Sequence, residues 1–516
     1  MVLAFVGVIL SLVFLVIFAY RGHSVVVVAP IAALIAVVFS GEPIMGTYTQ
    51  IFMPALGNFI IKYFPLFLFG AIFGFLMTST GLARYLARGI TALFGPKRAM
   101  LSTVVATALL TYGGVSAWVV AFTIVPIATE LFREARIPRR LMPAAVALGT
   151  ITFALAALPG SPQIHNAIPT SYFGTNVYAA PIFGIVSAIL MFIAGVAWLN
   201  WRTKQLHERG ETFEPLDHQG TVIKTPKGIS DGAQEITEVG DETLGGATGV
   251  SHTADEGTPG GGGVATMTVS HTRTAAQTEP SVQVQGLLGL LPIAVVIVVN
   301  FLFVYVISTM MDTGYLAEAK YGETELNALM GTWSPTIALA CAVMVIVAMF
   351  PKRARTSIAE FSDGAKNAIL PCFTTASEVG YGAVIAALAV FAVIKGSMLD
   401  ISDNALVVST LSTAVISGIT GSSSGGLSIT MQTLGDQLAA LAAEQGISGE
   451  LMHRVTAMAS VSFDSMPHNG AVLTMLIVCG MTHKLAYKDI AVVTIAIPLV
   501  ILMIMLGLNA VIPGLS

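Results

Sequence analysis

Two stretches in opposite halves of the chain interrupt apolar segments with the same kind of break. Pro159-Gly-Ser-Pro-Gln-Ile-His165-Asn166 and Asp464-Ser-Met-Pro467-His468-Asn469-Gly470 each carry a proline followed by His-Asn. A helix crossing lipid must satisfy every backbone N–H and C=O internally, so Pro, Gly and polar side chains at membrane depth are tolerated only against protein or a water-filled cavity. In transporters built of two inverted repeats, paired interruptions at corresponding positions mark a binding site near the bilayer midplane.

Composition decides whether membrane depth has meaning here. Of the 516 residues, 55% are hydrophobic and only 10% charged, against about 25% charged in soluble domains, and mean hydropathy is +0.80. The chain reads as an all-α polytopic membrane protein with the lipid bilayer as its solvent. The net charge of −4 averages loops of opposite character, and no basic patch with interleaved aromatics offers itself to nucleic acid. Cys341, Cys372 and Cys479 lie in apolar runs without paired or metal-ligand spacing, so neither a disulfide framework nor a metal site is expected.

Basic residues give the orientation. The run from Val2 to Ala19 lacks the basic flank and cleavage site of a secretory signal and is long enough to span, so it reads as an uncleaved first helix. Arg21 and His23 follow it. Arg84, Arg88, Lys97 and Arg98 follow the third run, Arg133, Arg136, Arg139 and Arg140 the fourth, and Arg202, Lys204 and Arg209 close the first half. The positive-inside rule places all of these in the cytoplasm. The fourth run, about 99–130, then has both ends on one side, and its polar centre Thr111-Tyr-Gly-Gly-Val-Ser116 divides it into half-spans. A re-entrant helical hairpin opening to the cytoplasm satisfies both facts; one long kinked helix is the alternative.

The second half repeats the layout with reversed sign. Lys352, Arg353 and Arg355 fix one loop inside, whereas the run 405–441 breaks at Thr420-Gly-Ser-Ser-Ser-Gly-Gly426 and reaches an acidic segment, Asp436 to Glu450, with no Lys or Arg on either flank. That pattern predicts a re-entrant hairpin opening outward. The next interrupted run returns to Lys484 and Lys488 inside, and both termini are expected outside. The predicted fold is two inverted-topology repeats. The first spans 1–204, with its hairpin at about 99–130 and a broken transmembrane helix at about 141–175; the second spans 286–516, with its hairpin at about 405–441 and a broken helix at about 451–482. Residues 205–285, rich in Gly, Thr, Glu, Asp and Ser, are expected to form a disordered cytoplasmic linker. Lys62 and Lys395 read as snorkelling residues near span ends.

Half-helix N-termini present unpaired N–H groups and a partial positive charge, which suits an anion stripped of its water. The breaks supply such ends without any buried Arg or Lys. The hydroxyls of Ser116, Ser161, Ser422, Ser423 and Ser424, the amides of Asn166 and Asn469, and His165 and His468 are therefore the candidate substrate ligands, with close helix packing as the alternative use of the small residues. Ionisable residues inside spans cost about 2.5–3.5 kcal/mol at a helix centre, so each needs a reason. Glu378, Asp464 and His468 are the candidate proton-coupling groups: a carboxyl group removed from water favours its neutral form, and an imidazole titrates close to neutral pH unaided. Neither a His-Glu-x-x-His helix nor a facing aspartate pair is present, so a membrane-embedded enzyme is not expected.

Ser377-Glu378-Val379-Gly380-Tyr381-Gly382, the Ser/Gly turn at 421–426 and Asp464 to Gly470 together resemble the gluconate permease (GntP) family of proton-coupled organic-anion symporters, within the ion transporter superfamily. The resemblance covers all but the 205–285 linker. It implies an elevator-type transporter in the cytoplasmic (inner) membrane that takes up a small hydroxylated carboxylate with protons, needs no further cofactor, and forms a homodimer. Leu158-Pro-Gly-Ser-Pro-Gln-Ile-His-Asn166 departs from the Pro-Pro and Pro-Gly-Pro arrangement of gluconate-type members, and is more similar to the branch associated with shorter hydroxy acids such as 3-hydroxybutyrate. A sodium-coupled di- or tricarboxylate symporter and a passive organic-anion channel are the alternative functions.

Overall fold

The computed structural model describes residues 2–21, 23–95, 98–213, 281–351, 354–399, 401–467 and 469–512, and their regular structure is helical throughout. Among the described residues, seven stretches are long and apolar enough to cross a membrane: Ile44–Ser79, Arg139–Ala157, Pro181–Glu208, Val282–Met310, Leu326–Met349, Glu360–Ala387 and His483–Val511. Shorter apolar helices accompany them, and the chain is a polytopic membrane protein.

In the first half the main helices are α1 (Val2–Tyr20), α2 (Val25–Ser40), α3 (Met53–Ser79), α4 (Leu82–Phe94), α5 (Ala99–Tyr112), α6 (Ala117–Glu134), α7 (Met142–Thr150), the one-turn α8 (Ile164–Ala167) and α9 (Thr170–Phe173), and α10 (Pro181–Glu208). The second half supplies α11 (Val282–Leu302), α12 (Leu326–Met349), α13 (Ala354–Ala387), α14 (Ala389–Leu399), α15 (Ala405–Thr420), α16 (Ser423–Glu444), α17 (Gly449–Ser460), α18 (Gly470–Val478), α19 (His483–Ala491) and α20 (Ile497–Val511). The breaks fall where the sequence puts them. Helices α5 and α6 are separated at 113–116, α15 and α16 at Gly421 and Ser422, α7 and α8 by an irregular stretch through Pro159, and α17 and α18 at 461–469. Gly421 adopts φ +63°, a left-handed conformation that ends α15 at little cost only for glycine.

Two expectations need correction. Helix α10 runs on to Glu208 and α11 starts at Val282, so the expected linker is shorter than 205–285 at both ends; residues 214–280 lie outside the described residues. Buried basic residues also exist. Arg454 is fully buried, and Arg202 is buried against Asp489, with Nε 2.7 Å from Oδ1 and the Trp198 indole N–H donating to the same carboxylate at 3.2 Å. Both sites escaped notice because an arginine in a half-polar stretch carries no sequence mark of its partner across the fold.

Packing explains the layout. The long helices α3 and α13 lie along one another, α3 also rests on α12, and α13 also rests on α2. Helix α4, amphipathic and carrying Arg84 and Arg88, crosses α11 at Gly89 and Gly286, where a Cβ on Gly286 would sit 2.9 Å from the Gly89 backbone; only glycines permit that approach. Helices α7 and α17 precede the two breaks; α7 is buried along its whole length and α17 from Leu451 to Ser460. Their neighbours are the helix pairs α5–α6 and α15–α16 and the spans α10 and α20, so the broken helices form the interior of the molecule rather than its lipid face.

Arg454 on α17 ties the first break into place. Its guanidinium donates to the Ala179 carbonyl (3.1 and 2.8 Å), the Ala156 carbonyl (2.9 Å), the Val177 carbonyl (3.3 Å) and Asn166 Oδ1 (2.6 Å). Carbonyl dipoles thus replace its water, while Glu450, one turn earlier, accepts from the Ala180 N–H at 3.3 Å. A charged hydrogen bond contributes about 1.5–3 kcal/mol and an unmet buried acceptor costs about 1–3 kcal/mol. Arg454→Met is therefore expected to lower stability by at least about 3 kcal/mol, read as a fall in detergent-solubilised melting temperature and loss of monodisperse protein; an unchanged melting temperature would contradict the clamp.

Candidate functional site

The Ser/Gly turn joining α15 to α16 is where groups from both halves meet. Ser422 begins α16 and its hydroxyl accepts from the Gly425 N–H at 3.1 Å, the capping use for which serine is favoured. The same hydroxyl faces the Glu378 carboxyl group from α13. Gly425 packs so tightly on this carboxyl that a Cβ there would collide with Glu378 Oε2, so glycine is required for Glu378 to reach the turn. Ser424 is 3.3 Å from the hydroxyl of Thr375, one turn before Glu378.

Ser423 is the link between the two breaks. Its hydroxyl is 2.8 Å from His165 Nε2, contributed by α8 of the first half, and faces the Asp464 carboxyl group of the second break. Ser465 donates to the same carboxylate at 2.9 Å. Asn469 completes the arrangement: it caps α18 by accepting from the Val472 N–H at 2.9 Å and donates to the Gly421 carbonyl at 2.8 Å. Two helix N-termini, those of α16 and α18, are thus bound into one cluster.

Several buried polar atoms here have no partner within the protein. They include Glu378 Oε2, His165 Nδ1 and the hydroxyls of Ser161, Ser377 and Ser417. Buried polar atoms are almost always hydrogen-bonded, so a group of orphans at one place marks where a polar guest belongs.

Not every expected ligand is available. Asn166 is fully committed, donating to the Leu158 and Ser161 carbonyls (3.2 and 3.1 Å) and accepting from Arg454. Asn469 is held as a cap. Ser116 begins α6 without a side-chain cap bond, and the α5–α6 turn is tied instead to the first break, by Tyr112 donating to the Pro159 carbonyl (2.7 Å) and Gln163 donating to the Thr111 carbonyl (2.7 Å). His468 falls outside the described residues. The sequence reading missed Thr375 and Gln163. Thr375, at Glu378 minus three, shares a helix face with it, and that spacing is the signal by which it could have been found.

No protein-family model matches the chain. It is 34% identical over 483 residues, covering 92% of this chain and 93% of its relative, to a Bacillus subtilis (strain 168) protein named "Uncharacterized transporter YxjC". Identity at that level along nearly the whole of both chains, with the membrane-spanning helical fold, shows that the chain belongs to the transporter family of which YxjC is a member.

Proposed function

We propose that the protein is a proton-coupled secondary transporter for a small hydroxylated carboxylate, of the gluconate permease type, working as two inverted repeats. One observation carries the reading: the 421–424 turn gathers His165 from one half with Glu378 and Asp464 from the other, beside two helix N-termini. The N–H groups and hydroxyls suit a carboxylate, and the two buried carboxyl groups suit proton loading in concert with it. The packing supports the repeat reading. Helix α3 lies on α12 as α13 lies on α2, and α6 meets α18 as α16 meets α8 and α9. An elevator-like movement would carry the two helix pairs and the broken helices together, past the layer formed by α3 and α13.

The proton reading is favoured over sodium because the turn's oxygens face carboxyl groups and a histidine able to exchange protons. In proteoliposomes, uptake of labelled 3-hydroxybutyrate, lactate, glycerate, gluconate and citrate is to be compared under an imposed pH gradient with and without sodium. Accumulation of a hydroxy acid driven by the pH gradient alone is expected; uptake that needs sodium and ignores the gradient would sink the reading. Glu378→Gln is expected to abolish accumulation against a gradient while leaving substrate exchange measurable, whereas a passive channel would keep its net flux. Gly425→Ala pushes a methyl group into Glu378. Overpacking of about 1–3 kcal/mol falling on the transport step corresponds to a rate lower by about 5- to 150-fold, checked by initial-rate uptake with normal membrane expression.

A further inference from the structure

Where α10 meets the stretch from α19 to α20, a groove of about 440 Å³ opens between the helices. Ala194, Ala197, Trp198 and Trp201 of α10 line one wall, Val492 and Ile497 the other. Val492 begins a wider, five-residue π-turn, Val492–Ala496, that joins α19 to α20. Such a turn pushes a helix out of its regular register, and turns of this kind are frequent at functional sites. On the α10 wall two small alanines leave room beside the paired indoles of Trp198 and Trp201, whose ring centres are 4.9 Å apart. The lining is apolar, and the Trp198 N–H is already given to Asp489.

The groove opens towards lipid. Ala197 and Trp201 are exposed, and the same two helices carry exposed Ile189, Ile193, Val500 and Ile504. Tryptophan gathers at the boundary between membrane and water, and beyond it both walls turn basic. Lys204 follows Trp201 by three residues and Lys488 precedes Val492 by four, spacings that keep each lysine on the groove's side of its helix. The Arg202–Asp489 ion pair brings the two lysines together, since Lys204 lies two residues beyond Arg202 and Lys488 is next to Asp489. Both are exposed, and among the described residues neither forms an ion pair. Arg202 already answers the charge of Asp489. Glu208 is then the remaining acidic residue within 194–208 and 483–497, against Lys204, Lys484 and Lys488.

We infer that this groove seats an anionic phospholipid of the cytoplasmic leaflet, with one acyl chain along Ala194 and Ala197 and the headgroup phosphate accepting from the ammonium groups of Lys204 and Lys488. A phospholipid meets both parts of the site, an apolar slot open to the bilayer and a pair of cations at its mouth. A headgroup of net negative charge is preferred to a zwitterionic one, because choline brings its own cation to compete with the lysines. The inference does not depend on what is transported. The seat lies apart from the 421–424 turn, yet α19 joins it to the second break, where Tyr487 donates to the Ser465 carbonyl at 3.1 Å. A lipid bracing α10 against α19 therefore steadies the helix that holds that break.

The test is native mass spectrometry of the full-length protein in mild detergent, mixed with equal amounts of palmitoyl-oleoyl phosphatidylglycerol and phosphatidylcholine. Wild type is compared with the double variant Lys204→Gln/Lys488→Gln, with Ala197→Phe, which fills the slot from an exposed position, and with Lys366→Gln as a control on an exposed lysine. Wild type should retain one phosphatidylglycerol in preference to phosphatidylcholine. A lysine beside an anionic headgroup contributes a factor of about five, so the double variant should lose about 25-fold of that preference. Ala197→Phe should release the lipid, and Lys366→Gln should match wild type. Phosphatidylglycerol should also raise the melting temperature of wild type and Lys366→Gln but of neither groove variant. Retention without headgroup preference, an undiminished preference in the double variant, or full retention by Ala197→Phe would overturn the inference. So would a lipid-free dimer that Ala197→Phe splits, since a second copy would then fill the groove.

Discussion

Everything in this molecule follows from the need to satisfy unwound backbone where there is no bulk water. The first break is netted by side chains from three other helices. Tyr112 of α5 holds the Pro159 carbonyl, Asn300 of α11 holds the Gly160 carbonyl at 2.7 Å, and Arg454 of α17 holds Ala156, Val177 and Ala179. The second break is held more lightly: Tyr487 donates to the Ser465 carbonyl at 3.1 Å, His483 Nε2 lies 2.9 Å from the Pro467 carbonyl, and Asn469 bridges to Gly421. Hydrogen bonds between such groups are what allow a non-helical segment to exist at this depth at all.

The two breaks consequently do different work with similar sequences. A permanent cation lies behind the first, its hydrogen bonds spent on carbonyls, which makes that break a fixed wall. Carboxyl groups surround the second, with hydroxyls between them that can reverse their hydrogen-bond direction. Ser423 stands between the two, 2.8 Å from His165 Nε2 and facing the Asp464 carboxyl group. A serine is well suited to this place because its hydroxyl donates and accepts at once and rotates freely.

Much of this was legible in the sequence, for a physical reason. Gly, Pro and Ser clusters such as Thr111 to Ser116 and Thr420 to Gly426 are conspicuous against apolar runs, because lipid forbids them elsewhere, and the structure ends and restarts its helices at those clusters. The turn at 421–424, Glu378 and Asp464 were found in this way and come together. What could not be read was partnership. Arg454 resembles any basic residue after an acidic stretch until its carbonyl acceptors, nearly three hundred residues earlier, are in view. The start of α13 was hidden by Glu360, Asp363 and Lys366, polar residues on a helix that continues unbroken through them.

The Arg454 clamp has a consequence for how the protein is made. Ala156 and Arg454 are separated by 298 positions. At about 5–20 residues per second, translation leaves the first break without its clamp for roughly 15–60 seconds after Ala156 is synthesised. During that interval the carbonyls around Ala156 and Val177 have to be served by water or by the insertion machinery, so the first half emerges as an unfinished intermediate that only the second half can close. Assembly of the two halves is thus enforced by chemistry as well as by shape, and a ribosome that stops before α17 releases a product whose own polar interior marks it for removal.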